Sequence, residues 1–331
     1  MNGEIIKILL GEYKHLLIYI PIAIFCYWLH RPDVFLVLFV TGLLILLSKK
    51  YEQIKELKSI KHIPIAFVIG KSRKEGRNAY EDLKSAISNL TGFSEFEKLG
   101  KLFNIDFDDL LIHWEEQFEK PEDWKKYLER ARNNIVRYKA EVPGRKIYHV
   151  CLYGPVATGF GIGAMFGSNH RVVVYHHDKD KDEYAPVIDL RSDVRRIKQA
   201  AKEFRHILKV EYPQRYTENI ALILDSPGNK AYGCAVGYVK EKFKEVEIVH
   251  VEIEELNPQN SWIRAVQEVF YVFNQLQQRT EVKTIHLFFT IPLALAIGIG
   301  MALGNFVPVI VYHHEGCTYS EVLNLREIKP L

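Results

Sequence analysis

The chain is 331 residues long, 48% apolar and 26% charged, with a formal net charge of +3. That length allows about two domains, and so small a net charge excludes the broad basic surface that long nucleic acid demands. Its four cysteines, Cys26, Cys151, Cys234 and Cys317, form no CxxC pair; neither a zinc ribbon nor a disulfide framework is supported, and a reducing cytosol fits.

Residues 1–50 stand apart from the rest. Leu16 to Trp28 (LLIYIPIAIFCYW) is almost wholly apolar, His30-Arg31-Pro32-Asp33 interrupts, and Val34 to Leu47 (VFLVLFVTGLLILL) resumes before Ser48-Lys49-Lys50 closes the stretch. Each run is short of the roughly 20 residues that span a bilayer, but Tyr13, Tyr19, Tyr27, Trp28 and Tyr51 extend it into the interfaces. A second apolar run following so soon argues against a cleaved signal peptide. The spacing predicts a helical hairpin that crosses the membrane twice, Pro21 kinking its first helix and Pro32 suiting the turn or the start of the second. Lys7, Lys14, His15, Lys49 and Lys50 flank the two outer ends, so the positive-inside tendency puts both termini in the cytoplasm of an inner-membrane protein. A buried hairpin within a soluble fold is the alternative. Tyr51–Ile60 reads as a charged helical linker.

From residue 61 strands alternate with helices, which indicates parallel α/β units. Ile63–Ile69 reads as a strand, Gly70–Arg77 as a polar loop and Asn78–Leu90 as a helix. Asn219–Leu224, Asp225–Lys230 and Tyr232–Phe243 repeat that order, and Val246, Ile248 and Val251 fit a following strand. Amphipathic helices begin at Pro121 and Pro258, each soon followed by a tryptophan, Trp124 and Trp262. The first half is the longer one before this proline, its extra residues falling between Ser88 and His113. Residues 192–218 read as a basic helix joining the halves, with Arg195, Arg196, Lys198, Lys202 and Arg205 on a solvated face or against anionic lipid.

One segment occurs twice. Tyr148–Arg191 and Ile285–Arg326 align His149 with His286, Pro155 with Pro292, Gly163 with Gly300 and Tyr175-His176-His177 with Tyr312-His313-His314. After a two-residue deletion in the second copy, Tyr184 meets Tyr319. Phe288 to Tyr312 alone has the hydropathy of a membrane span, but its counterpart carries Ser168, Asn169, His170 and Arg171, which are costly at bilayer depth. Both copies therefore read as buried strand, helix and parallel strand, since strands covered on both faces are continuously apolar. Gly159, Gly163 and Gly167 give the helix a smooth stripe that can lie close to a sheet. The expected fold is α/β, with two half-domains in tandem at about 61–191 and 219–331.

In such sheets ligands sit beyond the carboxyl ends of the strands, and helix N-termini there offer free N–H groups to phosphate. The candidate ligand-binding residues are Lys71, Ser72, Arg73, Lys74, Tyr153, Pro155 and Thr158 in the first half. Asp225, Ser226, Lys230, Tyr232, Phe289, Thr290 and Pro292 are those of the second. The lysines and arginine supply charge, the hydroxyls hydrogen bonds, and Tyr153 or Phe289 a stacking surface. The loops match neither a Walker A nor a GxGxxG fingerprint, and no GxSxG elbow is present. The twin histidine pairs read as strand-end residues and not as metal ligands, because adjacent strand residues point to opposite faces. No cofactor and no metal are expected.

The stretch HLFFTIPLALAIGIGMALGNFVPVIVYHHEGCTYSEVLNL resembles the C-terminal signature of SAVED domains, and the first copy is similar to the other half of that domain. The resemblance covers roughly residues 61–331. It implies two fused CARF-like Rossmann halves acting as a receptor for a cyclic di-, tri- or tetranucleotide in antiphage immunity, in a CBASS or type III CRISPR setting. With the N-terminal hairpin it is similar to the two-helix membrane type, and this implies self-association on ligand binding and disruption of the lipid bilayer. The alternatives are a nucleotide-acting enzyme, such as a phosphodiesterase that degrades the cyclic signal, and a membrane-tethered scaffold.

Overall fold

The computed structural model describes residues 60–331 except 104, 228–230 and 317, together with Leu36, Val40, Thr41, Gly42, Leu44, Leu47 and Ser48. The chain divides into two compact units, Met1–Ser59 and Ile60–Leu331. The expected hairpin and linker lie almost wholly outside the described residues, among which no helix is long and apolar enough to cross a membrane. Lys230 and Cys317 also lie outside them.

The first half opens on β1 (Ile60–Ile69), apolar on both faces and buried along most of its length. Gly70, at φ +70°, turns the chain. Ser72 then caps α1 (Arg73–Thr91) reciprocally with Glu75: each side chain accepts the other's backbone N–H, at 3.3 Å and 3.0 Å. The helix therefore starts five residues before the expected Asn78, and most of the expected loop is its first turn. The extra residues of this half form α2 (Glu97–Phe103) and α3 (Phe107–Leu110) before the short strand β2 (Leu111–Trp114). Then come α4 (Pro121–Glu141), β3 (Arg145–Tyr153), α5 (Val156–Phe166), β4 (Val172–Asp178) and β5 (Glu183–Asp189). The strands lie in the order β2-β1-β3-β4-β5, all parallel except β5.

The second half repeats this plan with β7 (Asn219–Asp225), α6 (Ala231–Lys242), β8 (Val246–Ile253), α7 (Ile263–Gln277), β9 (Thr284–Phe289), α8 (Leu293–Leu303), β10 (Val309–Glu315) and β11 (Thr318–Asn324). Its sheet runs β11-β10-β9-β7-β8-β6. The sixth strand, β6 (Ile207–Glu211), comes from the connector expected to be helical. That connector instead holds a 3-10 turn at Val194–Lys198 and then joins the sheet edge, antiparallel to β8. The buried carboxylate of Glu268 fastens it by accepting the backbone N–H groups of Arg205, His206 and Ile207 at 2.9–3.0 Å.

The halves meet along α5 and α8. A Cβ added at Gly163 would lie 2.1 Å from the Ile297 carbonyl oxygen, and one at Gly300 would lie 2.3 Å from that of Phe160. Gly159 and Gly163 of the glycine stripe therefore lie against the partner helix and not against a sheet. Gly159 faces Leu293 and Ala296 while Gly163 faces Ile297 and Met301, so the two helices run side by side in the same sense. Both sheets consequently present their strand carboxyl ends on one side. The tryptophans cross the same boundary: Trp262 packs on His176 with centroids 4.8 Å apart, and Trp124 packs on His313 at 5.4 Å.

A second duplicated contact runs through each sheet. His149 Nδ1 is 2.9 Å from the Tyr175 hydroxyl, and its other nitrogen is 2.8 Å from His62 Nδ1. His286 Nδ1 is 3.0 Å from the Tyr312 hydroxyl, with Asn219 Oδ1 at 3.5 Å from Nε2. Burial, then the charge of His62, lowers the pKa of His149 to about 2. Burial likewise holds His62, His170, His176, His286 and His313 below their ordinary range.

Two outcomes follow for stability. These histidines take up on unfolding protons they do not hold when folded. Stability should therefore be greatest above pH 6.5 and fall as the pH drops below it, by about 1.4 kcal/mol per unit for His149 alone. Denaturant titrations between pH 5 and pH 8 measure this. Gly163→Ala should destabilise by about 3 kcal/mol, because backbone stands where the methyl would go. Gly237→Ala on α6, with nothing within 4 Å, should be neutral or stabilise by about 0.5–1 kcal/mol in the same titrations.

Candidate functional site

In the strand order β2-β1-β3, the chain leaves β1 to one side and returns on the other. The crevice beyond β1 and β3 is thus the switch point where such sheets leave room for a ligand. A cleft of about 330 Å³ opens there. Its floor is Val68, Leu152, Tyr153 and Tyr175 at the strand ends; Glu75, Asn78, Ala79 and Asp82 of α1 form one wall. His176, His177 and Lys179 come from the end of β4, Tyr184 from β5, and Leu293 reaches in from the second half.

Lys71 and Tyr153 dominate the mouth. The Lys71 ammonium lies 4.9 Å from the Tyr153 ring centroid, and 46% of Tyr153 is exposed. Hydrogen bonding to Tyr153, then attraction to Glu75 at 3.4 Å, holds the ammonium above its ordinary pKa. An exposed aromatic face beside a fixed cation suits a nucleobase with its phosphate. Deeper in, burial pushes the Cys151 thiol up to about 12 and the Tyr184 phenol well above its usual range. Both are neutral at ordinary pH, and Cys151 is a poor nucleophile.

The other first-half candidates are placed differently. The Ser72 hydroxyl is taken up in the helix cap and donates to Glu75 at 2.8 Å. Arg73 pairs with Asp108 on α3, and Lys74 is exposed; neither lines the cleft. Pro155 caps α5. Thr158 is fully buried, its hydroxyl has no hydrogen-bond partner among the described residues, and it does not line the cleft. The helical period explains this: positions 75, 78, 79 and 82 of α1 share the side turned to the cleft, next to the buried face of Gly76, Tyr80, Leu83 and Ile87, while 73 and 74 point away.

In the second half the two switch-point loops are bonded to each other. Asp225 is 6% exposed, and its Oδ1 accepts the Ser226 N–H at 2.9 Å and the Thr290 hydroxyl. The Thr290 bond joins the loops after β7 and β9, and the Ser226 hydroxyl donates to the Ile253 carbonyl at the end of β8 at 3.1 Å. Phe289 is buried against Phe160 with centroids 4.9 Å apart. Tyr232 stacks on His250 at 4.0 Å. Pro292 caps α8 next to Leu293, through which this half touches the cleft.

The histidine pairs divide as strand geometry requires. His176 and His313 face the opposite half's tryptophan, whereas His177 turns to Asp182 at 3.2 Å and His314 to the Tyr319 ring. Among the described residues no cluster of three or more histidine, cysteine or acidic side chains could hold a metal. Sequence reasoning missed Asn78, Asp82, Tyr175, Lys179 and Tyr184 as cleft residues. Tyr175 and Tyr184 carried a signal, since both recur in the duplicated segment. The α1 residues became legible only once that helix was known to begin at residue 73.

A search of curated protein sequences finds no match. Among solved structures the chain is similar to the Acinetobacter baumannii Cap4 SAVED/CARF-domain containing receptor with the cyclic trinucleotide 2'3'3'-cAAA. The TM-score is 0.51 at 14% identity, over 83% of this chain and 53% of that one. The Moraxella osloensis Cap4 SAVED/CARF-domain containing receptor gives 0.45 at 14% identity, over 80% and 50%. The chain thus spans about half the length of the solved structures it matches, and at this identity the first likeness is one of fold. A profile of the SMODS-associated and fused to various effectors sensor domain matches residues 80–190 and 196–325. Those segments take in most of both α/β halves and well over half of the sequence: the chain belongs to the SAVED family.

Proposed function

We propose that the chain is a receptor for a cyclic oligonucleotide. The observation that carries this reading is the open cleft at the β1–β3 switch point of a sensor-family domain, with Lys71 set over the exposed ring of Tyr153. The ammonium takes a phosphate and the ring takes a base. The N-termini of α1 and α5 add N–H groups at the same strand ends, and Leu293 borders the cleft from the second half. The similar Acinetobacter receptor holds a cyclic trinucleotide, which makes trinucleotide rings the first to test.

In this reading the two apolar runs between Tyr13 and Leu47 form a hairpin that spans the inner membrane twice, with both termini in the cytoplasm. Ligand binding draws copies of the domain together, their hairpins cluster, and the membrane is breached as part of antiphage defence. For that to happen the ring must bind the associated state more tightly than the free one. The hairpin sequence has no acidic ring or charged stripe, which favours a leak over a selective channel.

A thermal-shift panel of cyclic di-, tri- and tetranucleotides should raise the melting temperature for at least one ring, and mass spectrometry should then recover that ring intact. A linear product would convert the reading to an enzyme, and no shift from any ring would reduce the protein to a scaffold. Tyr153→Ala should weaken binding by about 1–3 kcal/mol, as loss of one base-stacking face does; calorimetry with the active ring checks it. Removing residues 1–50 should leave ligand binding intact and abolish harm to the cell. Growth arrest that persists in the truncated protein refutes the membrane mechanism.

A further inference from the structure

Apart from the edge strand β6, the halves correspond strand for strand, but their terminal hairpins do not. In the second half β10 turns into β11 between Glu315 and Thr318, while in the first half β4 turns into β5 between Asp178 and Glu183. The longer turn is Lys179-Asp180-Lys181-Asp182, and the shorter one, Gly316-Cys317, carries no lysine. Of its two lysines, Lys179 lines the cleft and Lys181 does not.

The turn is held on both sides. The Asp180 N–H donates to Asp178 Oδ1 at 3.1 Å, and Gln259 of the second half donates from Nε2 to Asp178 Oδ2 at 3.1 Å. Asp182, at φ +52°, sits 3.2 Å from His177 Nε2. The root of Lys179 is therefore fixed before any ligand arrives, which lowers the entropy lost on binding. Strand order supplies the rest. Lys71 follows β1 and Lys179 follows β4, and β3 lies between those strands, so the two lysines flank Tyr153 at its end. Glu75 and Asp82 line the same cleft, and Lys71 already shares its charge with Glu75. Lys179 brings the balance back toward positive.

We infer that Lys179 and Lys71 form a two-point clamp for one phosphate of the ring seated on Tyr153, and that the lengthened hairpin of the first half supplies its second arm. The inference rests on the receptor reading.

The test is calorimetry on the full chain in detergent, with the tightest-binding member of a panel of cyclic di-, tri- and tetranucleotides, at about 50 and 200 mM salt. Lys179→Ala should weaken binding about tenfold and make it less sensitive to salt, as loss of one phosphate contact does. Lys179→Arg should keep affinity within about threefold of the parent, since it preserves the charge. Lys181→Ala should leave both affinity and salt dependence unchanged. A parent chain that binds no ring overturns the receptor reading and the clamp with it. A parent that binds, with Lys179→Ala matching it in affinity and salt dependence, overturns the clamp alone. So does a loss in Lys181→Ala equal to that in Lys179→Ala, because the effect would then be general attraction to a basic turn.

Discussion

The close approach of α5 and α8 is the constraint on which the rest of the structure depends. The backbone of one helix occupies the space where a side chain at Gly163 or Gly300 would stand, so the helices come near enough for the halves to share one apolar core. Because the two helices run in the same sense, both sheets turn their strand carboxyl ends to the same side. Leu293, at the start of α8, then reaches a cleft whose other walls belong to the first half. A bulkier interface would separate the halves and remove that wall.

Around this axis the duplication is kept where it serves packing and lost where it would serve binding. The histidine–tyrosine contacts across β3–β4 and β9–β10 recur, as do the tryptophan–histidine contacts between halves. At the switch points the halves part. The first has a glycine turn, an exposed tyrosine, a lysine beside it and a long hairpin; the second has a buried aspartate bonded to a threonine hydroxyl across the crevice. Burying a carboxylate is tolerable only where hydrogen bonds meet it, and those bonds draw the two loops together.

Much of this was legible in the residues. The internal repeat identified the paired strand-helix-strand units, and it moved the apolar stretch around Gly298 from a membrane to a core. Lys71 and Tyr153 were recognisable because each ends a strand that had already been read as such. Arg73, Lys74 and Thr158 were not: their placement depends on where α1 begins and which face α5 turns inward, and capping by Ser72 and Glu75 decides the first of these. The connector was misread because its basic composition suits a helix, whereas pairing with β8 and the Glu268 carboxylate hold it as a strand edge.

By itself the sequence determined the α/β class and the tandem of two halves, because apolar periodicity and duplication are properties of the chain alone. Only the tertiary structure decided where the first-half cleft opens and which side chains line it. That outcome depends on contacts between residues far apart in sequence, such as Lys71 with Tyr153 and Gln259 with Asp178. Only it, too, brought a lysine after β4 and the tyrosine that ends β3 to one cleft, since strand order arises from how the chain crosses the sheet and not from any local pattern.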